Sequence, residues 1–445
     1  MVHARKVRKE KLMQLRKKTG SEISKSKLYY KGASAFHAVH QIDLDLLVYN
    51  RHNGRLESEM LTWQKVHAVG DDEYNIELHE LIEEFLWHDN PSRNKRTLED
   101  IKIKGQQRPG IVTLDGVIID GNRRAMLLRR LEGERNVKQY FEAIILPDAY
   151  DENEKEIVRL ETQYQMGEDA ILPYGPLEKY LHAKRLRETL GVDVQEIAQL
   201  MGESQSEVKK LLGIMELMDE YLDHIGCPGL YTMLKEPTGG TKEGMFVDLY
   251  SDLNRFKGNN PAVQWSFDAE VDLLDLQTIH FDFIRFGSEL TGTDKTYRAI
   301  SHEGAGKKSF FAHEKIWQKF LARHRAEVDP VTENMGSLEE YVNRNPDCPT
   351  IVDAAIARDD EWKYRVRSSV KENFGLSEEE LDGKVDELEP PRLLARSLNA
   401  LLRIDTDSTV LLENPECRNM IVQINRLTFD MKKQIERYER SSSSP

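Results

Sequence analysis

The chain has 445 residues and a mass of 51.5 kDa, which at about 150 residues per domain indicates roughly three domains and excludes a single small binding module. Hydrophobic residues make up 39% and charged residues 31%, which excludes a collagen-like or wholly disordered chain. The net charge of −14 excludes a protein that holds nucleic acid over its whole surface, so any DNA contact must come from local patches. No apolar run reaches the roughly 18 to 20 residues that a bilayer-spanning helix needs. We therefore expect a cytoplasmic protein that contacts no membrane.

The first part of the chain is expected to contain a basic arm and then a mixed domain. The first 18 residues hold eight Lys or Arg and one Glu, so residues 1–40 are predicted to form a basic flexible arm. Strand-like and helix-like segments alternate over 41–150, which predicts an α+β domain. Within it, Asp115 and Gly116 are typical of a tight turn between two strands. A helix is predicted to follow from Asn122 and to end at Gly133.

Residues 151–225 are predicted to be helical and to contain a DNA-binding helix-turn-helix. The pattern runs from Val194 to Leu212, with Gly202 at the sharp turn and Ser204 as the cap of the second helix. In the usual docking of such a unit, the start of the second helix faces the major groove. The side chains predicted to contact DNA are Gln205, Ser206, Lys209 and Lys210.

Residues 226–445 are predicted to be mainly helical and to serve oligomerisation or partner docking. The apolar and acidic segment 265–287 is interpreted as core helices or as a surface for a protein partner. The last long helix carries apolar residues at steps of three and four, which pair either with a second copy of the chain or with its own domain. These residues are Met420, Ile424, Leu427, Met431, Ile435 and Tyr438.

The strongest local signal for chemistry is the segment Asp120-Gly-Asn-Arg-Arg124, which connects a predicted strand to a predicted helix. Backbone N–H groups at a helix start have no partners within the helix and attract anions. Two guanidinium groups beside a glycine suit a phosphate, a nucleoside triphosphate or a DNA backbone. Gly121, Asn122, Arg123 and Arg124 are therefore the candidate phosphate-binding residues.

Five segments, in this order along the chain, resemble ParB-type partition proteins. They are YNRHNGR (49–55), GQQRPGIV (105–112), the DGNRR turn, the acidic LETQYQ helix (160–165) and the helix-turn-helix. The resemblance covers roughly residues 41–225, which is half of the chain. It implies a ParB/sulfiredoxin-like α+β domain, an all-α helix-turn-helix domain and a helical C-terminal region. Sulfiredoxin activity is excluded because no cysteine lies near the DGNRR turn.

The resemblance also implies a ligand and a metal. In ParB proteins the equivalent turn usually reads G-E-R-R and holds the triphosphate of CTP, so Gly121, Arg123 and Arg124 would inherit phosphate binding. The family motif E-N-x-x-R here reads Glu161-Thr-Gln-Tyr-Gln165, so Glu161 would be left to ligate Mg²⁺ without the family arginine. This departure disfavours CTP and leaves another nucleotide, or none, open.

Three functions remain open from the sequence. The first is a DNA-binding, ParB-like homo-oligomer in which a nucleotide at the DGNRR turn acts as a switch, for partition, regulation or a mobile-element or defence role. The second is a metal-dependent nuclease or nucleotide hydrolase with Asp120 and Glu161 as catalytic carboxylates. The third is a scaffold that binds a protein partner through the C-terminal half. Whether the protein is an enzyme stays undecided at this stage.

Overall fold

The fold is described from a computed structural model. The described residues are 2–54, 56–67, 76–166, 175–236, 242–258, 263, 265–287, 290, 296–302, 309–387 and 390–442. They divide into two compact units, Met1–Gly375 and Leu376–Pro445. The first unit contains a mixed sheet followed by helices, in agreement with an α+β N-terminal region and a helical remainder. Among these residues, no helix combines the length and apolarity needed to cross a membrane.

The sheet has six strands in the order β1-β2-β6-β4-β5-β3. Its strands are β1 (Glu22–Tyr30), β2 (Ala33–Asp43), β3 (Val48–Tyr49), β4 (Gly110–Val112), β5 (Val117–Asp120) and β6 (Tyr140–Ile145). Neighbours β1/β2, β2/β6 and β4/β5 are antiparallel, whereas β3/β5 and β4/β6 are parallel. The predicted hairpin at Asp115 and Gly116 is confirmed, because β4 and β5 pair across that turn. Gly116 has a φ of +88°, the left-handed conformation that glycine tolerates best.

The prediction of a flexible arm over residues 1–40 is wrong. Helix α1 (Arg5–Lys17) occupies its first part, and strand β1 and most of β2 follow. Leu12 is fully buried, and the guanidinium of Arg8 donates hydrogen bonds to the carbonyl oxygens of Asp115 (2.9 Å) and His3 (2.7 Å). Because Asp115, one acceptor of this buried charge, lies more than 100 residues away in sequence, the helix is fixed to the sheet and does not behave as an arm.

Besides α1, four helices pack with the sheet around the first apolar core. They are α2 (Glu57–Val66), α3 (Ile76–Asp89), α4 (Pro91–Lys104) and α5 (Asn122–Arg135). Helix α4 ends at Gly105, whose φ is +67°. Helix α5 continues through Gly133 to Arg135, so the predicted end at Gly133 is wrong, because a glycine inside a helix costs only about 1 kcal/mol and packing overrides that cost.

Two helices joined by a tight turn lie where the sequence predicts a helix-turn-helix. After α6 (Glu154–Met166) and α7 (Pro176–Lys184), which continues as a π-helical turn over Arg185–Thr189, the chain forms α8 (Val194–Met201) and α9 (Gln205–His224). Gly202 between them has a φ of +69°, and the Ser204 hydroxyl accepts a hydrogen bond from the N–H of Glu207. Ile197 and Val208 are fully buried between the helices.

The remaining helices complete the first unit and form the second. In the first unit they are α10 (Glu243–Lys257), α11 (Asp272–Phe286), α12 (Glu314–Met335), α13 (Leu338–Arg344) and the start of α14 (Ile351–Glu387). Helix α11 lies in the segment 265–287, and its C-terminal half, Ile279–Phe286, is buried in the core, whereas Val271 and Leu274 near its start are exposed. The second unit contains α15 (Pro390–Leu402), α16 (Thr409–Glu413) and α17 (Pro415–Ser442). The six apolar residues of the predicted seam on α17 are all exposed.

Candidate functional site

The site is built on the turn between β5 and α5. Asp120 is the last residue of β5, and Asn122 is the first of α5. Gly121 lies between them with a φ of +107°, and a Cβ atom at this position would lie 2.6 Å from Cζ of Phe141. Only a residue without a side chain fits this bend against the aromatic ring. The first N–H groups of a helix have no acceptor within the helix itself, and α5 begins at this bend.

The turn borders a cavity of about 870 Å³. Its wall includes residues 120–124, the segment Gly105–Ile111, part of α4, Gln163 and Tyr164 of α6, and Ser26 and Tyr29 of β1. A volume in this range is typical of sites for small molecules and cofactors. The DGNRR and GQQRPG segments, which are separated in sequence by β4, the turn and β5, thus lie on one concave surface.

Arg123 and Arg124 both line the cavity, and each forms an ion pair beside it. Arg123 pairs with Asp89 at the end of α3. Arg124 donates one hydrogen bond to Oδ2 of Asp120 at 2.6 Å and another to the carbonyl oxygen of Arg108, also at 2.6 Å. The two side chains are 15% and 22% exposed, so their charges are held close to the wall rather than in open solvent.

Two further arginines on the cavity wall were not predicted. Arg93 lies in the first turn of α4, and Arg108 lies in the segment that follows α4. Within the described part of the chain, neither side chain forms an ion pair, unlike Arg123 and Arg124. The cavity wall therefore carries four arginines and two aspartates, Asp100 and Asp120. The signal available in the sequence was Arg108 itself, which lies inside the GQQRPG segment.

The structure gives the side chain of Asn122 a different role from the predicted one. Its amide is buried, with Nδ2 donating to the carbonyl oxygen of Ile118 at 3.1 Å and Oδ1 accepting from the backbone N–H of Asn50 at 3.2 Å. Both ends of the amide are thus used to join β5 to the segment after β3. A ligand in the cavity would meet Asn122 through its backbone, because the side-chain amide already has partners.

Glu161 does not belong to the cavity wall. Its carboxylate is fully buried and accepts a hydrogen bond from Nδ2 of Asn50 at 3.2 Å. The next residue, Thr162, hydrogen-bonds the carbonyl oxygen of Val158 and Nε2 of His182, so its hydroxyl is also used inside the protein. The side chain of Gln165 lies outside the described part of the structure. Sequence reasoning missed Asn50, although it lies in the YNRHNGR segment.

The residues do not fit the predicted magnesium or two-carboxylate site. Asp120 pairs with Arg124 at the cavity, whereas Glu161 is held by Asn50 in the protein interior. In the described ranges, no group of three or more His, Cys, Asp or Glu side chains is arranged to hold a metal ion. We therefore derive no step through Mg²⁺ and none that uses Asp120 and Glu161 together.

A buried polar cluster lies between α2, α6 and α7. Arg185 donates to the hydroxyl of Tyr150 (2.8 Å) and to the carbonyl oxygen of His52 (3.3 Å), and its charge acts on Glu57 and Glu161. Burial raises the pKa of Glu57 from 4.5 to about 8, despite the opposing charge of Arg185. Oε2 of Glu57 is buried and has no hydrogen-bond partner among the described residues. This carboxyl is therefore expected to carry a proton at neutral pH.

The predicted DNA-contacting side chains lie at the start of α9. Gln205, Ser206 and Lys209 are exposed, and Lys210 is partly buried. Nζ of Lys210 lies 3.9 Å from Oε1 of Glu207, so one of the two lysine charges is compensated on the same helix. The geometry presents this end of α9 to solvent, as a groove-reading helix requires.

One solved structure aligns with about half of the chain. The crystal structure of the C-terminally truncated chromosome-partitioning protein ParB from Caulobacter crescentus, complexed with CTP-gamma-S, aligns with 48% of this chain and 92% of that chain. The sequence identity is 15% and the TM-score is 0.18. No protein-family model matches the chain, and no curated protein matches it. A similarity at this TM-score supports no inference about fold or function, so the proposals below rest on this chain's own residues.

Proposed function

We propose that the protein is a DNA-binding, ParB-like protein that binds a nucleotide or another phosphorylated ligand in the cavity at the DGNRR turn. The observation that carries the proposal is the convergence of Arg93, Arg108, Arg123 and Arg124 on one cavity at the start of a helix. These arginines come from three separate segments, so neighbouring sequence positions do not explain their convergence.

The chemistry of the wall favours a phosphate group. Two oxygens of a phosphate group accept bidentate hydrogen bonds from one guanidinium group, and the start of a helix favours an anion. Arg93 and Arg108 are available for such contacts without breaking an ion pair of the described structure. Arg124 would exchange its partner Asp120 for the ligand, which makes the Asp120–Arg124 pair the group that a ligand rearranges.

Helix α6 provides a physical connection between the cavity and the helix-turn-helix. Gln163 and Tyr164 of α6 line the cavity, and one turn earlier Arg159 of the same helix forms an ion pair with Glu196 of α8. If α6 can adopt two positions, a ligand that contacts it shifts the balance between them by the difference in its affinity for each. That shift would be passed to α8 through the Arg159–Glu196 ion pair. This connection supports a switch in which ligand binding alters DNA binding.

The test is a binding measurement with defined nucleotides. Isothermal titration of the full chain with each of the four ribonucleoside triphosphates, with and without Mg²⁺, is expected to show binding of at least one. Loss of one charge-assisted contact weakens binding about tenfold to a hundredfold, so Arg108→Ala and Arg124→Ala are expected to lower the affinity by that factor.

The matched control is Arg135→Ala, because Arg135 lies at the other end of α5, is exposed and does not line the cavity. Equal affinities of the Arg108→Ala, Arg124→Ala and Arg135→Ala variants would place the ligand elsewhere. Absence of binding by all four triphosphates, and by inorganic phosphate and pyrophosphate, would overturn the proposal.

A further inference from the structure

The hairpin formed by β1 and β2 presents one face that reaches the cavity of the proposed function only at Tyr29. Strand alternation places Lys25, Lys27 and Tyr29 of β1 on the same face, and Phe36 of β2 lies directly opposite Lys27. We name this surface the hairpin face and define it by Lys25, Lys27, Tyr29 and Phe36. The strand β1 is the edge of the sheet, so the face lies at one border of the domain.

The aromatic side chains of the hairpin face are unusually exposed. Phe36 is 72% exposed and Tyr29 is 50% exposed. A phenylalanine contributes to stability mainly through the apolar area that it buries, so an exposed ring on a regular strand stabilises the fold little. Such a ring is available for stacking with a flat partner.

The charge around the hairpin face is strongly positive. Residues 16–30 contain five basic residues, Arg16, Lys17, Lys18, Lys25 and Lys27, and one acidic residue, Glu22, whereas the whole chain has a net charge of −14. All five basic side chains are exposed. Throughout the described ranges, none of the five forms an ion pair. These five positive charges are therefore uncompensated, in a protein whose net charge is negative.

The end of α1 is held against the base of the same hairpin by Ser21. The hydroxyl of Ser21 donates to the carbonyl oxygen of Leu15 at 2.9 Å and lies 3.3 Å from Nδ1 of His40 on β2. This contact joins the last turn of α1, which carries Arg16 and Lys17, to the base of the hairpin.

The tip of the hairpin is fixed as well. Lys31 and Gly32 both have positive φ angles (53° and 75°), as in the tight turns that match strand twist, and Lys31 and Tyr30 both contact Asp148. A surface fixed at both ends is preorganised, so binding would cost little ordering.

We infer that the hairpin face binds a nucleic-acid strand, with phosphates contacting Lys25, Lys27 and the end of α1, and bases stacking on Phe36 and Tyr29. Basic residues interleaved with exposed aromatic rings on a sheet are the combination that single-stranded nucleic acid requires, because every base offers a flat face and every linkage a negative charge. A duplex keeps its bases stacked internally and would use only the charges. The face is separate from the lysines of the helix-turn-helix, so it adds a second contact of different chemistry.

The experiment measures binding of the full chain to a fluorescein-labelled oligothymidine of about 30 nucleotides by fluorescence anisotropy over a series of salt concentrations. In the Lys25→Ala/Lys27→Ala variant we expect a decrease of about 1.4 in the slope of log K against log salt, since each contact to a single strand contributes about 0.7. Phe36→Ala is expected to weaken binding roughly fivefold to a hundredfold, and Phe36→Tyr to restore most of it.

The matched control is Lys315→Ala/Lys371→Ala, which removes two exposed lysines from α12 and α14 and changes the net charge equally. The Lys209→Ala/Lys210→Ala variant is expected to bind the single strand normally, so failure of the helix-turn-helix proposal leaves this test intact. Thermal unfolding confirms that each variant is folded.

Wild-type affinity in both the lysine and the Phe36→Ala variants would overturn the inference. A dimer, detected by light scattering, that dissociates in the Phe36→Ala variant without any change in nucleic-acid binding would also overturn it, since the face would then join two copies of the chain. Equal loss of affinity in the Lys315→Ala/Lys371→Ala control would reduce the effect to net charge and contradict the assigned surface.

Discussion

The backbone N–H of Asn50 donates a hydrogen bond to Oδ1 of Asn122 at 3.2 Å, and the side-chain amide of the same Asn50 donates to Glu161. One residue thus connects the segment after β3, the start of α5 and the middle of α6. Because α5 and α6 both contribute to the cavity wall, Asn50 fixes the distance between two parts of the candidate site. Its contribution is to position these parts, since it does not itself line the cavity.

The first prediction concerns the amide of Asn122. Asn122→Ala removes the acceptor of Asn50 and the donor to Ile118 while leaving both backbone groups buried, so we expect the free energy of unfolding to fall by about 1 to 3 kcal/mol. Urea unfolding followed by circular dichroism measures this change. The control Asn254→Ala loses only an exposed hydrogen bond to Tyr250 within α10 and should change stability by less than about 0.5 kcal/mol. Equal effects of the two substitutions would contradict the role of Asn122.

The second prediction compares two glycines of the same region. Gly121→Ala places a Cβ at a φ of +107° and 2.6 Å from Phe141, and should destabilise the protein by about 1 to 3 kcal/mol. Gly133→Ala lies inside α5 with no neighbouring atom within 4 Å of the new Cβ, and should stabilise it by about 0.5 to 1 kcal/mol. Thermal unfolding of both variants checks the opposite signs. A stable Gly121→Ala protein would show that the bend is not as described.

The third prediction concerns the pH dependence caused by Glu57. Its pKa is about 8 in the folded protein and 4.5 in the reference state, so between these values the folded protein binds more protons than the unfolded chain. The stability contributed by protonated Glu57 is therefore complete below about pH 4.5 and is lost as pH rises towards 8. Glu57→Gln removes this dependence.

We expect the stability of Glu57→Gln relative to wild type to increase by at least about 1 kcal/mol between pH 5 and pH 8. Urea unfolding of both proteins at several pH values measures the difference, in which the titration of all other groups cancels. A difference that does not vary with pH would show that Glu57 is ionised in the folded protein.

The fourth prediction concerns the charge balance at the start of α9. Glu207 compensates Lys210, so Glu207→Gln should tighten binding to duplex DNA by a factor of about two to five, with a larger effect at low salt. The Lys209→Ala/Lys210→Ala variant should weaken binding and reduce the salt slope by about 1.8, since each phosphate contact to B-DNA contributes about 0.9. Anisotropy titrations over a salt series measure both effects. Unchanged binding in the double variant would remove α9 as the groove-reading helix.

The sequence predicts those parts of the fold that depend on local chemistry. The Asp115-Gly116 turn and the Ser204 cap of α9 each act through groups a few residues away, so their residue types identify them. Helix α1 and the β1–β2 hairpin escaped prediction for the opposite reason. Arg8 is satisfied by the carbonyl of Asp115, and the polar residues of β1 form a strand because β2 pairs with them.

In the candidate site too, the sequence identified the residues of the local turn and missed those brought in by distant packing. The DGNRR turn identified Arg123 and Arg124, which do line the cavity. Arg93 contributes to the same wall only because α4 packs beside α5, which no spacing in the sequence reveals. Asn122 and Glu161 were interpreted as ligand-binding residues because of their types and neighbours, whereas both are used in hydrogen bonds with Asn50. Polar residues inside a motif can thus stabilise the protein rather than bind a ligand.

The hydrogen bond from Arg8 to the carbonyl of Asp115 has a consequence for cooperativity. The helix at the beginning of the chain closes over the turn that leads into β5, and β5 leads directly into the wall of the cavity. Amide hydrogens of α1 and of the β4–β5 turn should therefore exchange with solvent in one concerted opening, as members of a single folding unit. Separation of α1 from the sheet would leave the buried carbonyl oxygen of Asp115 without the guanidinium of Arg8. It would also remove a support of β5, the strand that ends at the cavity wall.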